Sequence, residues 1–230
     1  MTNGCDDKAL SEYRRLMHQR PDLFRNHPGA GIVIVKSDAE IAEARKQAEC
    51  FRAARGLTTE DLRAGLLAHD PYMTVVRDPV RFPDGSLGLY NRVIETTPVA
   101  ILPLLGGRPV MINVFRHGLR DWSLEFPRGA CEHDESAEAA AVRELGEEIG
   151  AAARELIPLG EFTPGGSSLS IRARLFAAEV DDIGPSDHAE GIESVHVFDI
   201  ATVEQKIAAS EIIDGFSLAL FTRARLAKLI

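Results

Sequence analysis

Residues 129–151 read Gly-Ala-Cys-Glu-His-Asp-Glu-Ser-Ala-Glu-Ala-Ala-Ala-Val-Arg-Glu-Leu-Gly-Glu-Glu-Ile-Gly-Ala, and this stretch decides the fold. From Ser136 to Ile149 it is rich in Ala, Glu, Leu and Arg, which favour the α-helix. Asp134, Glu135 and Ser136 are candidates for the N-cap position, where a side-chain oxygen accepts a hydrogen bond from a free backbone N–H. Gly150 suits the left-handed position that ends many helices. The stretch therefore predicts a helix over residues 136–149.

Three acidic side chains fall on one side of this predicted helix. Glu144 and Glu148 are four residues apart and Glu147 is three from Glu144, so all three are neighbours, and like charges at this spacing destabilise a bare helix. A hard cation such as Mg²⁺ would offset them, and the planar fork of Arg143 can brace them. The alternative is a solvated acidic helix face. An apolar stripe on the opposite side is predicted for Ala139, Val142, Leu145 and Ile149.

The spacing of charged residues and glycines extends this pattern. Gly129 is followed after five residues by Glu135, and seven more lead to Arg143-Glu144-Leu145, Glu147-Glu148 and Gly150. The pattern resembles the Nudix box, Gly-x5-Glu-x7-Arg-Glu-U-x-Glu-Glu-x-Gly-U, where U is a bulky aliphatic residue and only Ala151 departs. The resemblance implies an α+β protein of the Nudix fold, an α/β/α sandwich around a mixed sheet.

Composition narrows the class of protein. The chain has 230 residues, of which 45% are hydrophobic, and a net charge of −9, so a sizeable core is available. The acidic balance and the lack of a long basic run argue against a nucleic-acid partner. Three cysteines without paired spacing indicate a reducing compartment. No apolar run approaches the roughly 20 residues that span a bilayer. We expect a cytoplasmic protein with no membrane partner.

Periodicity predicts two domains: an α-rich accessory extension over residues 1–70, and a Nudix domain over residues 71–230. In the extension we expect helices over residues 8–20 and 37–55, a strand over 31–35, and a short helix that starts at Thr58 and stops before His69. In the second domain we expect strands over 72–82, 87–96, 99–105, 110–116, 156–162, 171–180 and 195–200, and helices over 202–209 and 214–229.

The sequence around the box points to a subgroup of the family. Residues 124–129, Leu-Glu-Phe-Pro-Arg-Gly, resemble the run that precedes the box in ADP-ribose and other ADP-sugar pyrophosphatases. Arg116 stands where those enzymes have the Arg that ends a strand, and Pro164 lies close to where they place a proline. The resemblance implies a Mg²⁺-dependent hydrolase, with Mn²⁺ as a substitute, that splits such a nucleotide into AMP and a sugar phosphate. It also implies a homodimer.

The acidic residues of the box are candidate metal ligands. Metal ions bound by Glu144 and Glu148, with Glu147 or Glu135 assisting, would clamp the phosphates and activate a water molecule. The resemblance adds the backbone carbonyl of Arg128 as a ligand.

Candidate substrate and proton-transfer groups lie outside the helix. Substrate phosphates need cationic partners, and the candidates, in order of preference, are Arg116, Arg92 and Arg128, each of which could instead form a surface ion pair. The subgroup resemblance adds Glu125 and Pro164 to the substrate side. It also places the general base in the acidic loop 186–193, where Glu190 is preferred to Glu193, and His188 is a weaker candidate.

Three alternatives stay open. The enzyme could act on another Nudix substrate, such as a dinucleoside polyphosphate, NADH or a capped RNA end. The fold could serve as a non-catalytic ligand-binding module, although all four box carboxylates are present. Residues 1–70 could also give the chain a scaffold role.

Overall fold

The computed structural model describes residues 3–186 and 190–230, with side chains from residue 8 onward in the first range. These residues form two compact units. Of the described residues, the first unit contains 3–95 and 165–170, and the second contains 96–164, 171–186 and 190–230. In the part of the chain that the structure describes, no helix is both long enough and apolar enough to cross a membrane.

The first unit is a small antiparallel sheet with two helices. Strand β3 is its hub, since it pairs antiparallel with β1, β2 and β4. Tyr13, Phe24, Val76 and Ile94 are the buried residues of one core cluster in this unit. Its elements are α1 (Asn3–Gln19), a short 3-10 helix (Pro21–Phe24), β1 (Val33–Ile34), α2 (Asp38–Ala53), β2 (Gly65–His69), β3 (Met73–Arg81) and β4 (Leu87–Glu95).

The short helix predicted from Thr58 is wrong. Residues 57–64 are not helical, and strand β2 follows directly from them. Tertiary contacts decide this, because Arg77 on β3 donates through Nη1 to the carbonyl oxygens of Asp61 at 2.9 Å and Arg63 at 3.2 Å. These hydrogen bonds hold residues 61–63 beside β3 in a non-helical conformation.

The second unit is built on a seven-stranded mixed sheet. The strand order is β11-β6-β5-β10-β9, with β7 paired to β6 and β8 paired to β5. The pairing of β5 with β10 is parallel, and the other pairs are antiparallel. Its elements are β5 (Pro98–Leu105), β6 (Arg108–Arg116), β7 (Asp121–Glu125), β8 (Arg128–Ala130), α3 (Ala137–Ile149), β9 (Ala153–Phe162), β10 (Ala173–Val180), β11 (Ile192–Val197), α4 (Ile200–Ala208) and α5 (Gly215–Leu226).

Both faces of this sheet are covered by helices. Successive residues of β5 point to opposite faces, so Val99 and Ile101 join the core under α3, whereas Ala100 and Leu102 join the core under α4 and α5. The unit is therefore an α/β/α sandwich around a mixed sheet, and the predicted fold class is confirmed. Strands β7 and β8 were not predicted, because each is short and follows a turn or precedes the box loop.

Helix α3 begins and ends where its sequence predicts. The hydroxyl of Ser136 accepts from the backbone N–H of Ala139 at 3.1 Å, and Gly150 has a left-handed φ of 60°. A Cβ at residue 150 would lie 2.7 Å from Cα of Gly184, so Gly150 is required both by its backbone angle and by the close approach of a neighbouring loop.

The predicted boundary at residue 70 separates an extension from a catalytic domain, whereas the two compact units of the structure are defined by packing. The structure groups the hairpin β3–β4 with the N-terminal residues, so compactness divides the chain between Glu95 and Thr96. Which segment forms the catalytic domain is a separate question. The two predicted domains, residues 1–70 and 71–230, stay a prediction.

Candidate active site

Two box carboxylates are buried, which the sequence pattern did not predict. Glu144 is 7% exposed and Glu148 is 3% exposed. They share the buried face of α3 with Leu145 and Ile149. The predicted apolar stripe is therefore only half right, since Val142 is 46% exposed and Ala139 is also exposed, while Ala140 and Ala141 are buried. The helix turns its central acids toward the sheet and not into bulk water.

Gly129 lets the Glu144 carboxylate approach the backbone of β8. A Cβ at residue 129 would lie 2.0 Å from Oε1 of Glu144 and 2.3 Å from its Oε2. Any larger residue would push this carboxyl group away. The first glycine of the box therefore makes room for one of its acids.

Arg143 holds three of the box carboxylates together. Its Nη1 donates to Glu144 Oε1 at 2.9 Å and to Glu147 Oε2 at 2.7 Å, and its Nε donates to Glu135 Oε1 at 3.0 Å. The hydrogen bond from Arg143 is the largest cause of the lowered pKa of Glu135, followed by that from the backbone N–H of Glu132. One guanidinium thus offsets much of the repulsion within the acidic cluster.

For Glu148, no hydrogen bond from a side chain of the described residues matches the one that Arg143 gives to Glu144. Its Oε2 accepts from the backbone N–H of Arg128 at 2.9 Å. Burial raises its pKa to about 8, against the lowering effect of that hydrogen bond, and the negative charges of Glu144 and Glu190 raise it further. Burial is also the main cause of the raised pKa of Glu144, where Arg143 acts in the opposite direction. Ionising both acids therefore requires additional positive charge nearby.

A second ionic cluster lies beside the acids. Glu125, 1% exposed, accepts at Oε2 from Arg116 Nη2 at 2.6 Å, Arg116 Nε at 3.0 Å and Arg128 Nε at 3.0 Å. Burial alone would raise the pKa of Glu125, but the hydrogen bond from Arg116 and the charge of Arg128 lower it below its usual value. One buried carboxylate therefore holds two guanidinium groups, whose remaining N–H donors are suited to an anion.

These two arginines line a cavity of about 470 Å³ in the second unit. The cavity is mixed in character: Leu119 and Ile213 contribute exposed apolar side chains, and Asp214 contributes a carboxylate whose Oδ1 lies 3.7 Å from Nη2 of Arg128. Sequence reasoning missed these three residues, because they come from a turn and from the segment before α5. The lining residues are Arg116, His117, Gly118, Leu119, Ser123, Glu125, Arg128, Ile213, Asp214 and Gly215.

The two candidate bases differ in position. Glu190 is exposed, and its charge raises the pKa values of both Glu144 and Glu148, so it lies within electrostatic reach of the buried acids. Glu193 on β11 instead accepts from Nδ2 of Asn113 at 2.7 Å. His188 lies outside the described residues. Electrostatic reach favours Glu190, and the assignment of the base stays a prediction.

Arg92 and Pro164 have other surroundings. In the first unit, Arg92 donates to Asp78 through Nε at 2.8 Å and Nη2 at 3.2 Å, and through Nη1 to the carbonyl of Leu23 at 2.6 Å. Its donors thus serve a network that also includes the Tyr13 hydroxyl, bonded to Asp78 at 2.5 Å. Pro164 is exposed. Their predicted contacts with a substrate stay predictions.

The chemistry of the acidic cluster fits a hard divalent cation. Carboxylate oxygens are the ligands such ions prefer, and Glu144 and Glu148 are two buried acids whose raised pKa values a bound cation would lower. Across residues 3–186 and 190–230, no three His, Cys, Asp or Glu side chains are already spaced as a metal-binding group. The fit therefore rests on donor chemistry and charge, with Glu144 and Glu148 as the residues that would hold the ion.

Comparison with known proteins gives the family. The model of the NUDIX domain matches residues 97–216, which is more than half of the chain and includes the whole box. This chain belongs to the Nudix family. The predicted resemblance is confirmed, and members of this family generally use a divalent metal ion.

Two relatives have the same description. ADP compounds hydrolase NudE of Escherichia coli (strain K12) is 28% identical to this Nudix chain over 120 residues, which are 51% of this chain and 64% of that protein. The match thus spans slightly less than two thirds of the relative's length. A crystal structure of an ADP compounds hydrolase has a TM-score of 0.61 at 22% identity and covers 70% of this chain and 89% of that one. That likeness shows the fold.

Proposed function

We propose that this Nudix protein is a metal-dependent pyrophosphohydrolase that cleaves an ADP-linked compound, ADP-ribose or another ADP-sugar, into AMP and a sugar phosphate. The observation that carries the proposal is the arrangement of charge in the second unit. Arg116 and Arg128 are held on the buried Glu125, and Arg116 is close enough to Glu148 for its charge to lower the pKa of that acid. Donors for phosphate thus lie beside ligands for a metal.

The family and its relatives support the same chemistry. The relative named above is described as a hydrolase of ADP compounds, and this chain has every charged residue of the box. Mg²⁺ is the ion we propose, with Mn²⁺ as a substitute, because Mg²⁺ is commonly held by one or two carboxylates together with substrate phosphates.

In this proposal, different side chains bind the substrate phosphates and accept the proton of the attacking water molecule. Arg116 and Arg128 bind phosphate oxygens and are oriented by Glu125, so little ordering remains to be done when substrate binds. A bound divalent ion supplies charge neutralisation and a more acidic water molecule. Glu190 accepts the proton as the water oxygen forms its bond to phosphorus and the bridging P–O bond breaks. Because phosphoryl transfer depends mainly on positioning and electrostatics, this division suits the site.

A substrate panel with product identification by mass tests the proposal. ADP-ribose, ADP-glucose, NADH and diadenosine polyphosphates are each incubated with the protein and Mg²⁺, Mn²⁺ or EDTA. We expect AMP from an ADP-sugar with either metal and none with EDTA. Preference for NADH or a diadenosine polyphosphate would replace the proposed substrate. Metal-dependent binding of ADP-ribose without any nucleoside monophosphate released would refute hydrolysis and support a ligand-binding module.

Three further expectations belong with this proposal. We infer a homodimer from the subgroup resemblance, which sedimentation at several protein concentrations can test. A cytoplasmic location is inferred from the three cysteines without paired spacing. We also propose that residues 1–70 are an accessory extension and residues 71–230 the catalytic domain.

A further inference from the structure

The segment that joins β7 to β8 is held at four successive residues. The Glu125 side chain binds the two arginines, and the Pro127 carbonyl accepts from the Ile101 N–H at 2.9 Å. The Arg128 N–H donates to Glu148 at 2.9 Å. The remaining residue, Phe126, donates its N–H to the hydroxyl of Ser217 at 2.9 Å. This short connection therefore links the phosphate-binding arginines to the buried acid of the box.

Ser217 is well placed to restrain this connection. It lies in the first turn of α5 and is 0% exposed. Its hydroxyl donates to Oδ2 of Asp214 at 2.8 Å while it accepts from Phe126, and its backbone N–H also donates to Oδ2 of Asp214 at 2.8 Å. The hydroxyl proton is thus committed to Asp214, which leaves a lone pair facing the Phe126 amide. Asp214 therefore orients the Ser217 hydroxyl, and that hydroxyl restrains the backbone at Phe126.

The Phe126 amide lies in a buried part of the second unit and donates to the Ser217 hydroxyl. The Phe126 side chain is 1% exposed and belongs to the core under α4 and α5. A buried backbone N–H without a partner is strongly disfavoured, so losing the Ser217 hydroxyl should shift the connection toward another acceptor or toward water. Glu125 and Arg128 flank this amide, and their side chain and backbone contacts would shift with it.

We propose that Ser217 is a positioning residue of the active site. Through the Phe126 amide it fixes the Glu125–Arg128 segment, and with it the contacts of that segment with Arg116 and Glu148. This inference rests on the proposed function for its effect on catalysis, and on the box carboxylates alone for its effect on metal binding. Hydrogen-bond partners that orient metal ligands typically change metal affinity or activity by about 10- to 100-fold when they are removed.

Ser217→Ala is the direct test, and Ala224→Gly is its matched control. Ala224 lies on the same helix and is also 0% exposed, so its replacement weakens α5 and keeps the hydroxyl that accepts from the Phe126 N–H. Mn²⁺ binding to the full chain without nucleotide is followed by electron paramagnetic resonance. Because Ser217 acts on Glu148 only through the segment that contains the Arg128 N–H, we expect the Mn²⁺ dissociation constant to rise by up to about 10-fold in Ser217→Ala and to stay near the wild-type value in Ala224→Gly.

Kinetics on the best ADP-linked substrate provide the second readout. Loss of folded protein alone would lower kcat in proportion and leave KM unchanged, whereas a displaced Arg128 should also raise KM. Equal Mn²⁺ constants and equal KM values in Ser217→Ala and Ala224→Gly would overturn the proposal. A wild-type protein that binds Mn²⁺ yet hydrolyses no ADP-linked compound would refute the proposed function only, and the Mn²⁺ titration would still decide the role of Ser217.

A second pair of variants covers the case in which Ser217→Ala does not fold. Asp214→Asn keeps an oxygen that can accept from the Ser217 hydroxyl, whereas Asp214→Ala removes it. We expect Asp214→Asn to bind Mn²⁺ more tightly than Asp214→Ala, because the hydroxyl stays oriented toward Phe126 only in the Asn variant. Equal Mn²⁺ affinity of the two variants would contradict the proposed role.

Discussion

Glu148→Gln should make the metal-free protein more stable at high pH while it removes activity. Glu148 is 3% exposed and its pKa is raised by burial from 4.5 to about 8. A group that holds its proton more tightly in the folded state adds stability at low pH and loses it as pH rises from about 4.5 to about 8. The ionised form of this buried acid therefore destabilises the metal-free folded protein at high pH, and in the proposed function a bound metal ion offsets that effect.

The expected magnitude follows from the two pKa values. The pKa of Glu148 is 4.5 in the unfolded chain and about 8 in the folded protein. At about 1.4 kcal/mol per pH unit, the contribution of Glu148 to the free energy of unfolding therefore falls by about 4 kcal/mol between pH 5 and pH 9. Gln carries no titrating proton, so its own hydrogen-bonding cost is the same at both pH values. The stability of the variant relative to wild type should therefore rise by about 4 kcal/mol from pH 5 to pH 9.

Urea unfolding in EDTA at pH 5, 7 and 9 measures this difference. The control is Glu138→Gln, an exposed acid in the first turn of the same helix, for which the difference should stay within about 1 kcal/mol. Added Mg²⁺ at pH 9 should stabilise wild type and not Glu148→Gln, and activity of Glu148→Gln should fall by at least about 10²-fold. A relative stability that does not change with pH would refute the reasoning.

The remaining predictions concern other box residues and the proposed base. Gly129→Ala should lower activity by about 10²-fold, because its Cβ would lie 2.0 Å from Glu144 Oε1; kcat near the wild-type value would contradict this. Glu190→Gln should lower kcat by about 10²-fold or more and remove one limb of the pH–rate profile, while Glu193→Gln should do neither; the reverse result would assign the base to Glu193. Gly150→Ala should destabilise the protein by at least about 1–2 kcal/mol in thermal unfolding, because its φ is 60° and its Cβ would collide with residues 184–185; an unchanged midpoint would show that the loop gives way.

Local sequence predicted the structure correctly where the hydrogen bonds of an element are made within that element. The left-handed Gly150 was read correctly, and the N-cap, which is Ser136, was among three neighbouring candidates, because both ends depend on backbone groups within a few residues. The helix expected from Thr58 was wrong, because carbonyls of that segment accept from Arg77, a residue distant in sequence. Helix propensity near Thr58 carried no information about that contact.

Contacts between residues distant in sequence also distinguish the three candidate phosphate-binding arginines. Arg116, Arg128 and Arg92 were candidates of the same kind, since each is an arginine in or beside a strand. Only the fold separates them, because the first two converge on Glu125 while Arg92 is bonded to Asp78.

The amino-acid sequence by itself determined the box helix, its caps, the family and the set of acids, because spacing along a helix places side chains within one or two turns of each other. The tertiary structure alone decided which acids are buried, which arginines converge on Glu125, and that Ser217 accepts from the Phe126 N–H beside them. Those features depend on segments far apart in the chain, and burial acts on a charge only after such segments have packed around it.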